Sequence, residues 1–150
     1  TFIDNKYQSG SIAKTIDEAW PQIELANVYK DKKVLGVVSG IEGNPFIENT
    51  PQNESELRQN EHRFIGVNSL GEGCIWISNL SGSLENGDYI TSSPIEGYGM
   101  KQDDDLLHNY TVAKISEDCD FSGNGHVTSS ITHNGVTYKT AFVGCTYHCG

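Results

Sequence analysis

Short apolar segments separated by turn-forming residues constrain the fold of this chain more than any other feature. Glycine supplies 16 of the 150 residues, and Asn, Asp and Ser recur between the apolar groups. Brief alternating or continuous apolar groups with such boundaries are typical of β-strands, whereas helices need longer amphipathic stretches. The sequence therefore predicts an all-β fold, a compact β-barrel or sandwich of about seven to nine short antiparallel strands with at most one short helix.

The clearest local pattern is a β-hairpin near the C-terminus. Residues His126–Thr132 and Val136–Gly144 are rich in β-branched side chains, and His133, Asn134 and Gly135 separate them. Asn-Gly is the dipeptide that best tolerates the positive φ angles of a type I′ turn. We therefore predict two antiparallel strands that reverse at Asn134-Gly135.

A second reversal is predicted in the middle of the chain. Phe64–Val67 and Cys74–Ile77 are apolar, and the intervening residues 68–73 contain two glycines, so these segments are expected to pair around a turn. Further strands are predicted over Val34–Ser39, Tyr89–Thr91 and Tyr110–Ile115. The first of them is continuously apolar and is expected to be buried on both faces.

The remaining segments suggest connectors within a single domain that spans residues 1–150. Thr15 and Glu18 have the spacing of a capping box, but Pro21 limits any helix over Thr15–Trp20 to about two turns. Residues 44–61 are polar, include two prolines and are expected to form a long exposed loop.

The charge of the chain argues against two classes of partner. Twenty acidic residues against 10 basic ones give a formal charge of −10, whereas nucleic-acid binding needs clustered cations. The sequence has no apolar run of about 18 residues, so membrane insertion is not expected. Residues 1–10 also lack the basic and apolar layout of a secretory signal.

Four cysteines leave three alternatives open. Cys145 and Cys149 flank His148, so tetrahedral zinc is one alternative, but Cys74 and Cys119 are isolated rather than paired at zinc-ligand spacing. Cys145 and Cys149 would lie about 13 Å apart on one extended strand, too far for a disulfide. Buried free thiols are the favoured interpretation, and neither a metal nor a cofactor is expected.

An acidic run near the middle of the chain offers acid–base chemistry. Asp103, Asp104 and Asp105 lie between Lys101 and His108. Repulsion among neighbouring carboxylates raises the pKa of one of them, and an imidazole can relay the proton. The alternative is a solvated turn, since the run lacks the D-x-D-x-D-G spacing of a calcium loop.

Several motifs together resemble a known viral family. The shared pattern comprises an apolar strand, a G-D-x-I/L-x-T-S turn, a G-Y-x-M-K segment and a later V-A-K strand. It is carried here by residues 68–77, 87–93, 97–101 and 108–114, with Ser92 at the Thr position of the turn and with further similarity over 34–39 and 142–150. This pattern resembles the autoproteolytic intramolecular-chaperone domain, of the peptidase G2 type, at the C-termini of viral and phage spikes, fibres and neck appendages.

The resemblance implies a domain that forms a homotrimer, aligns three fibre chains and is released by self-cleavage. The D-Y-A-E type of segment around the family's cleavage junction does not occur in this sequence, so cleavage is expected upstream of residue 1 or absent from this subgroup. Candidate catalytic groups within the matched motifs or the acidic run beside them are Glu72, Asp88, Asp105 and His108. The virion or the virus assembly site is the expected location, and the particle exterior if the domain is retained.

Two other classes of function stay open. A non-enzymatic fibre head would bind a host-surface receptor or glycan through exposed aromatic side chains in a shallow groove, with Tyr89, Tyr98 and Trp76 as candidates. A metal- or disulfide-stabilised structural module would instead rely on the cysteines.

Overall fold

Ten β-strands make up almost all of the regular structure in a computed structural model, which describes residues 8–15, 23–42 and 64–149. The first four strands are β1 (Ile12–Thr15), β2 (Ile23–Leu25), β3 (Val34–Glu42) and β4 (Phe64–Asn68). The others are β5 (Leu70–Ser78), β6 (Tyr89–Ser92), β7 (Gly99–Lys101), β8 (Thr111–Ile115), β9 (Val127–His133) and β10 (Val136–His148). One 3₁₀ turn covers Asn79–Ser81. The predicted all-β fold is confirmed.

Five of these strands close into a barrel. Strand β5 pairs with β10 along nine residue pairs, and the ring continues through β8, β6 and β7 back to β5. All these ladders are antiparallel except the closing one, a parallel pairing of Ile77 with Gly99. Closure removes the free edges that an open sheet of this size would expose.

A four-stranded antiparallel sheet in the order β2-β1-β3-β4 joins the barrel through backbone hydrogen bonds. The Gly10 N–H donates to the Val38 carbonyl, and the Gly10 carbonyl accepts from the Trp76 N–H of β5. A side chain at Gly10 would collide with Trp76 and Phe142, so only glycine permits this approach. The sheet and the barrel are thereby held in one hydrogen-bonded arrangement.

The core fills the barrel interior and the space between the barrel and the sheet. Alternate residues of β5 and β10 point inward, among them Ile75, Ile77, Ala141 and Val143, and each is fully buried. The same alternation sends residues 72, 74 and 76 of β5 and 142, 144 and 146 of β10 to the outer face of the barrel. This outer face becomes important for the site below.

The predicted C-terminal hairpin is confirmed. Strand β9 pairs with β10 from His133 opposite Val136 to Val127 opposite Phe142, and Asn134 and Gly135 both have positive φ angles, 49° and 79°. Because β5 ends at Ser78, opposite Thr140, the tip of the hairpin extends past the barrel wall. Residues 130–139 form this projecting part, which we call the arm.

One predicted pairing is wrong. Strands β4 and β5 exist, but they do not pair with each other: β4 pairs with β3, and β5 pairs with β10 and β7. Residues 70–73, predicted as part of a turn, extend β5 instead, because the long strand β10 supplies partners for them.

Of the predicted connectors, the segment Thr15–Trp20 is described only at Thr15, which is the last residue of β1. Residues 16–20 and the polar segment 44–61 lie outside the described residues. The other strands predicted from local pattern correspond to β3, β6 and β8.

Candidate functional site

The structure places the four predicted catalytic residues on three different elements. Glu72 lies on the outer face of β5, and Asp88 lies in the turn that precedes β6. Asp105 and His108 both lie in the connection between β7 and β8. Asp105 is exposed, whereas His108 is only partly exposed. Only the last two therefore share a segment of the chain.

Asp88 has a structural role in its turn. Its Oδ2 accepts the Glu85 N–H at 2.8 Å and lies 3.5 Å from Lys101 Nζ. Its backbone carbonyl also accepts the Ile115 N–H, which links the turn to β8. These contacts fix a tight turn at the end of the barrel and engage the carboxylate from two sides.

His108 is paired with Asp104, a neighbour that the sequence did not single out from the acidic run. The Nε2 of His108 lies 2.9 Å from Asp104 Oδ2, and its ring stacks on Tyr110 with centroids 4.6 Å apart. The hydrogen bond with His108, aided by the Leu106 N–H, lowers the pKa of Asp104 to about 2. A carboxylate that is ionised at neutral pH thus orients the imidazole, as in base-assisted hydrolysis.

A buried glutamine holds this pair in place. Gln102 is almost completely buried, and its amide donates to Asp104 Oδ1 at 2.7 Å and to the Leu106 carbonyl at 2.6 Å. Its carbonyl accepts the Thr111 hydroxyl at 2.7 Å. The loop between β7 and β8 is therefore fixed from its interior side, because a buried amide is costly to leave unpaired.

Lys30 extends the same cluster. Its Nζ lies 2.8 Å from Asp103 Oδ1 and within 5.5 Å of the ring centres of both Tyr29 and Tyr110. The hydrogen bond between Lys30 and Asp103 raises the pKa of Lys30 above its ordinary value and lowers the pKa of Asp103. Asp103 is thus paired with an ammonium group and Asp104 with an imidazole, and these hydrogen bonds outweigh the repulsion from Asp104 that acts to raise the pKa of Asp103.

A second constellation lies on the outer face of the barrel and was missed by the sequence analysis. Cross-strand pairing places Thr146 of β10 between Glu72 of β5 and Lys114 of β8, and Lys114 opposite Tyr89 of β6. His148 completes the group, which we call the outer-face cluster. The five residues are up to 76 positions apart in sequence, and only the register of four strands reveals them.

Contacts within the outer-face cluster are specific. The Thr146 hydroxyl lies 2.9 Å from His148 Nε2, and the His148 ring meets the Tyr89 ring edge-on at 6.3 Å. Lys114 Nζ lies 5.9 Å from the centre of the Tyr89 ring. Glu72, Lys114 and Thr146 are exposed, so the cluster faces solvent.

Trp76 and Tyr98 do not line an open groove with Tyr89. Their ring centres are 6.2 Å apart, and Trp76 also packs on Phe142 at 5.3 Å. All three side chains are partly buried, and Gly10, which precedes β1, approaches Trp76 and Phe142 closely. The aromatic group therefore packs within the barrel wall, where the N-terminal segment crosses it.

The cysteines are free thiols, and three of the four are buried. Burial raises the pKa of Cys145 and of Cys149 to about 12, with the neighbouring thiols adding to the shift for Cys145. Burial also raises the pKa of Cys74 and Cys119. Within residues 8–15, 23–42 and 64–149, no three His, Cys, Asp or Glu side chains form a group that could hold a metal ion.

A shallow cavity of about 240 Å³ lies at the base of the arm, lined in part by Asp118, Asp120 and His126. Asp118 accepts the Asn86 N–H at 2.7 Å, and Asp120 accepts the Ser122 N–H at 3.0 Å. His126 Nε2 lies 3.0 Å from Glu117 Oε1, which accepts the Gly144 N–H of β10. These acidic groups therefore hold the turns around the arm.

Comparison with protein-family models, curated proteins and solved structures finds no significant match to this chain. The resemblance to the viral chaperone family accordingly stays a prediction based on motifs. In the part of the chain that the structure describes, no helix is long and apolar enough to cross a bilayer.

Proposed function

We propose that this chain is a C-terminal assembly module of a viral fibre or spike, which forms a homotrimer and aligns the fibre chains. The motifs at residues 68–77, 87–93, 97–101 and 108–114 support the viral part of this proposal. The arm is the observation that carries self-association. The module acts at the virion or its assembly site, and outside the particle if it is retained.

The arm is largely exposed, although its Lys139 N–H donates to Asn79 Oδ1 at 3.0 Å near the barrel wall. Most residues of β9 are exposed, Val136 in the arm is 50% exposed, and Val127, at the start of β9 outside the arm, is 65% exposed. An isolated two-stranded ribbon is marginally stable in water, and its outer edge offers unpaired backbone groups. A second chain that covers the arm would stabilise the ribbon and pair the free backbone groups at its edge.

Charge favours a copy of the same chain as that partner. No acidic residue follows Asp120, so the arm carries Lys139 and no carboxylate, whereas the rest of the chain is strongly acidic. An acid-free ribbon can approach the acidic surface of a neighbour without like-charge repulsion. A head-to-tail contact of this kind closes into a trimeric ring when it turns each chain by 120° relative to the next.

Shortening the arm tests self-association. Deleting Ile131–Thr132 together with Thr137–Tyr138 removes two residue pairs and preserves both the Asn134-Gly135 turn and the strand alternation. We expect the parent chain to sediment with the mass of a trimer and the shortened variant as a monomer with an unchanged near-UV circular dichroism spectrum. Lys114→Ala, on the barrel wall, is the matched control and should remain trimeric. A monomeric parent chain at about 50 µM would refute the proposal, since specific assemblies commonly have dissociation constants below this range.

Self-cleavage upstream of residue 1 is the second part of the proposal. Among the candidates Glu72, Asp88, Asp105 and His108, the geometry favours His108, because Asp104 orients its imidazole. In the full-length precursor, we expect His108→Ala to slow release of the module by at least about 100-fold, the lower end of the usual range for loss of a general base. Immunoblotting of mature particles provides the readout, and a single band at precursor size in the parent protein would exclude cleavage while leaving assembly intact.

A receptor- or glycan-binding fibre head is the alternative, and the outer-face cluster favours it. Tyr89 supplies an aromatic ring with Lys114 and His148 beside it, and Thr146 and Glu72 continue the solvent-facing row across the next two strands. This arrangement does not depend on cleavage, and it leads to the inference that follows.

A further inference from the structure

We propose that the outer-face cluster binds a saccharide that carries a carboxylate. The cluster joins an aromatic ring, an ammonium group, an imidazole and a hydroxyl from three strands of a closed barrel. Strands fix the positions of their side chains more firmly than loops do, so the site is formed before the ligand arrives. The proposal develops the alternative fibre-head function and does not require that the chain form trimers.

The ring of Tyr89 provides the apolar contact. A pyranose has faces of C–H groups that pack on aromatic rings, and the partly exposed Tyr89 ring presents such a surface. Its phenol group adds a hydrogen bond donor and acceptor. The edge-on contact with His148 at 6.3 Å limits the rotation of both rings.

Lys114 provides the charge that selects a carboxylate. Its side chain is exposed, and its Nζ lies 5.9 Å from the Tyr89 ring centre, so the ammonium can meet a substituent of a sugar packed on that ring. Charge-assisted hydrogen bonds are roughly twice as strong as neutral ones. In a chain of charge −10, an exposed lysine beside the acid-free strand β10 is a local exception to the acidic surface.

Thr146, His148 and Glu72 provide hydrogen bonds to sugar hydroxyls. The hydroxyl of Thr146 and the Nε2 of His148 are already in contact at 2.9 Å, and Glu72 lies across the ladder from Thr146. Neighbouring strands are about 4.8 Å apart, so the Cα atoms of Glu72 and Lys114, which lie two strands apart, are separated by about 10 Å. This distance is the span of one to two sugar units. Glu72 also disfavours a second carboxylate at its own end of the site.

Titration with two matched sugars tests this inference. Methyl β-D-glucuronide and methyl β-D-glucoside differ only at C6, which is a carboxylate in the first and a hydroxymethyl group in the second. Amide chemical shifts of the full chain report binding residue by residue. We expect saturable shifts at residues 89, 114, 146 and 148 with the glucuronide, a dissociation constant of millimolar order, and at least about tenfold weaker binding of the glucoside.

Lys114→Met removes the ammonium and keeps the aliphatic stem. We expect it to abolish the preference for the glucuronide, whereas Lys139→Met on the arm should leave the preference unchanged. Equal binding of both sugars, shifts spread outside the cluster, or an unaffected Lys114→Met variant would overturn the assignment. Sedimentation of the same samples reports the oligomeric state separately, so failure here is distinguishable from failure of the assembly proposal.

Discussion

At the scale of single residues, a buried ion pair joins β1 to the connection between β2 and β3. Lys14 Nζ lies 3.5 Å from Asp31 Oδ2, and each side chain is only 6% exposed. Lys14 also donates to Asn27 Oδ1 at 3.1 Å, and the Asp31 N–H donates to Ser92 Oγ on β6. Asp31 therefore depends on Lys14 for its charge balance and on the barrel for its position.

Replacing one member of this pair tests its energetic role. We expect Lys14→Met to lower the free energy of unfolding by about 3 kcal/mol, because it leaves a buried carboxylate without its cation. The double variant Lys14→Met with Asp31→Leu should recover most of that loss, since neither charge then needs a partner. Urea unfolding of both single variants and the double variant measures these values. A loss in the double variant equal to the sum of the two single losses would contradict this account.

The pair of Asp104 and His108 makes a prediction about pH. The pKa of Asp104 is lowered from 3.8 to about 2, so the carboxylate form is favoured by folding. Its contribution to stability is fully present above about pH 4 and is lost as the pH falls towards 2. In a carboxyl-detected NMR titration, His108→Ala should raise the pKa of Asp104. An unchanged value would show that the imidazole does not hold the carboxylate ionised.

At the scale of elements, closure of the barrel depends on a glycine in a short strand. A Cβ atom at Gly99 of β7 would lie 2.6 Å from Ile90 Cγ2 and 3.3 Å from the Thr91 carbonyl oxygen. Ile90 is fully buried, so it has no room to move away. The closing pair of Gly99 with Ile77 therefore requires the absence of a side chain.

Gly99→Ala should lower the free energy of unfolding by about 1–3 kcal/mol, the usual range for overpacking a core. Gly144→Ala is the matched control on β10, because its Cβ would meet the flexible ends of Ser116 and Glu117. We expect it to change stability by less than about 0.5 kcal/mol, as substitutions near the surface usually do. Equal effects of the two variants in thermal unfolding would contradict the proposed steric cause.

Local chemistry predicted individual strands better than it predicted their partners. The Asn134-Gly135 turn fixes its hairpin because both strands are adjacent in sequence. Strand β5 pairs with β10, about 70 residues away, and no local pattern distinguishes that partner from β4. The same limit applies to the sites: His108 and Asp104 are four residues apart, whereas Glu72, Lys114 and Thr146 meet only through the barrel register.

At the scale of the whole molecule, net charge opposes self-association. A trimer of chains with charge −10 brings together about 30 negative charges, which repel each other over distances set by the ionic strength. The acid-free arm reduces this repulsion only where it makes contact. We therefore expect the chains to associate more weakly at low ionic strength than at high ionic strength.

Sedimentation at about 20 mM and 300 mM NaCl measures this dependence, because the Debye length shortens several-fold between these concentrations. We expect a larger trimer fraction at the higher salt concentration. Tighter association at the lower concentration would instead indicate that attraction between opposite charges dominates the contact, and it would overturn the repulsion argument.

Strand β10 belongs both to the arm and to the barrel wall. Its residues 136–139 pair with β9 in the arm, where the Lys139 N–H also donates to Asn79 Oδ1, while residues 140–148 continue without interruption into nine paired positions against β5. A load applied to the tip along β10 thus acts parallel to that ladder, so its rungs resist together in shear and do not open one after another. This geometry lets the arm bear a pulling force while the barrel stays closed.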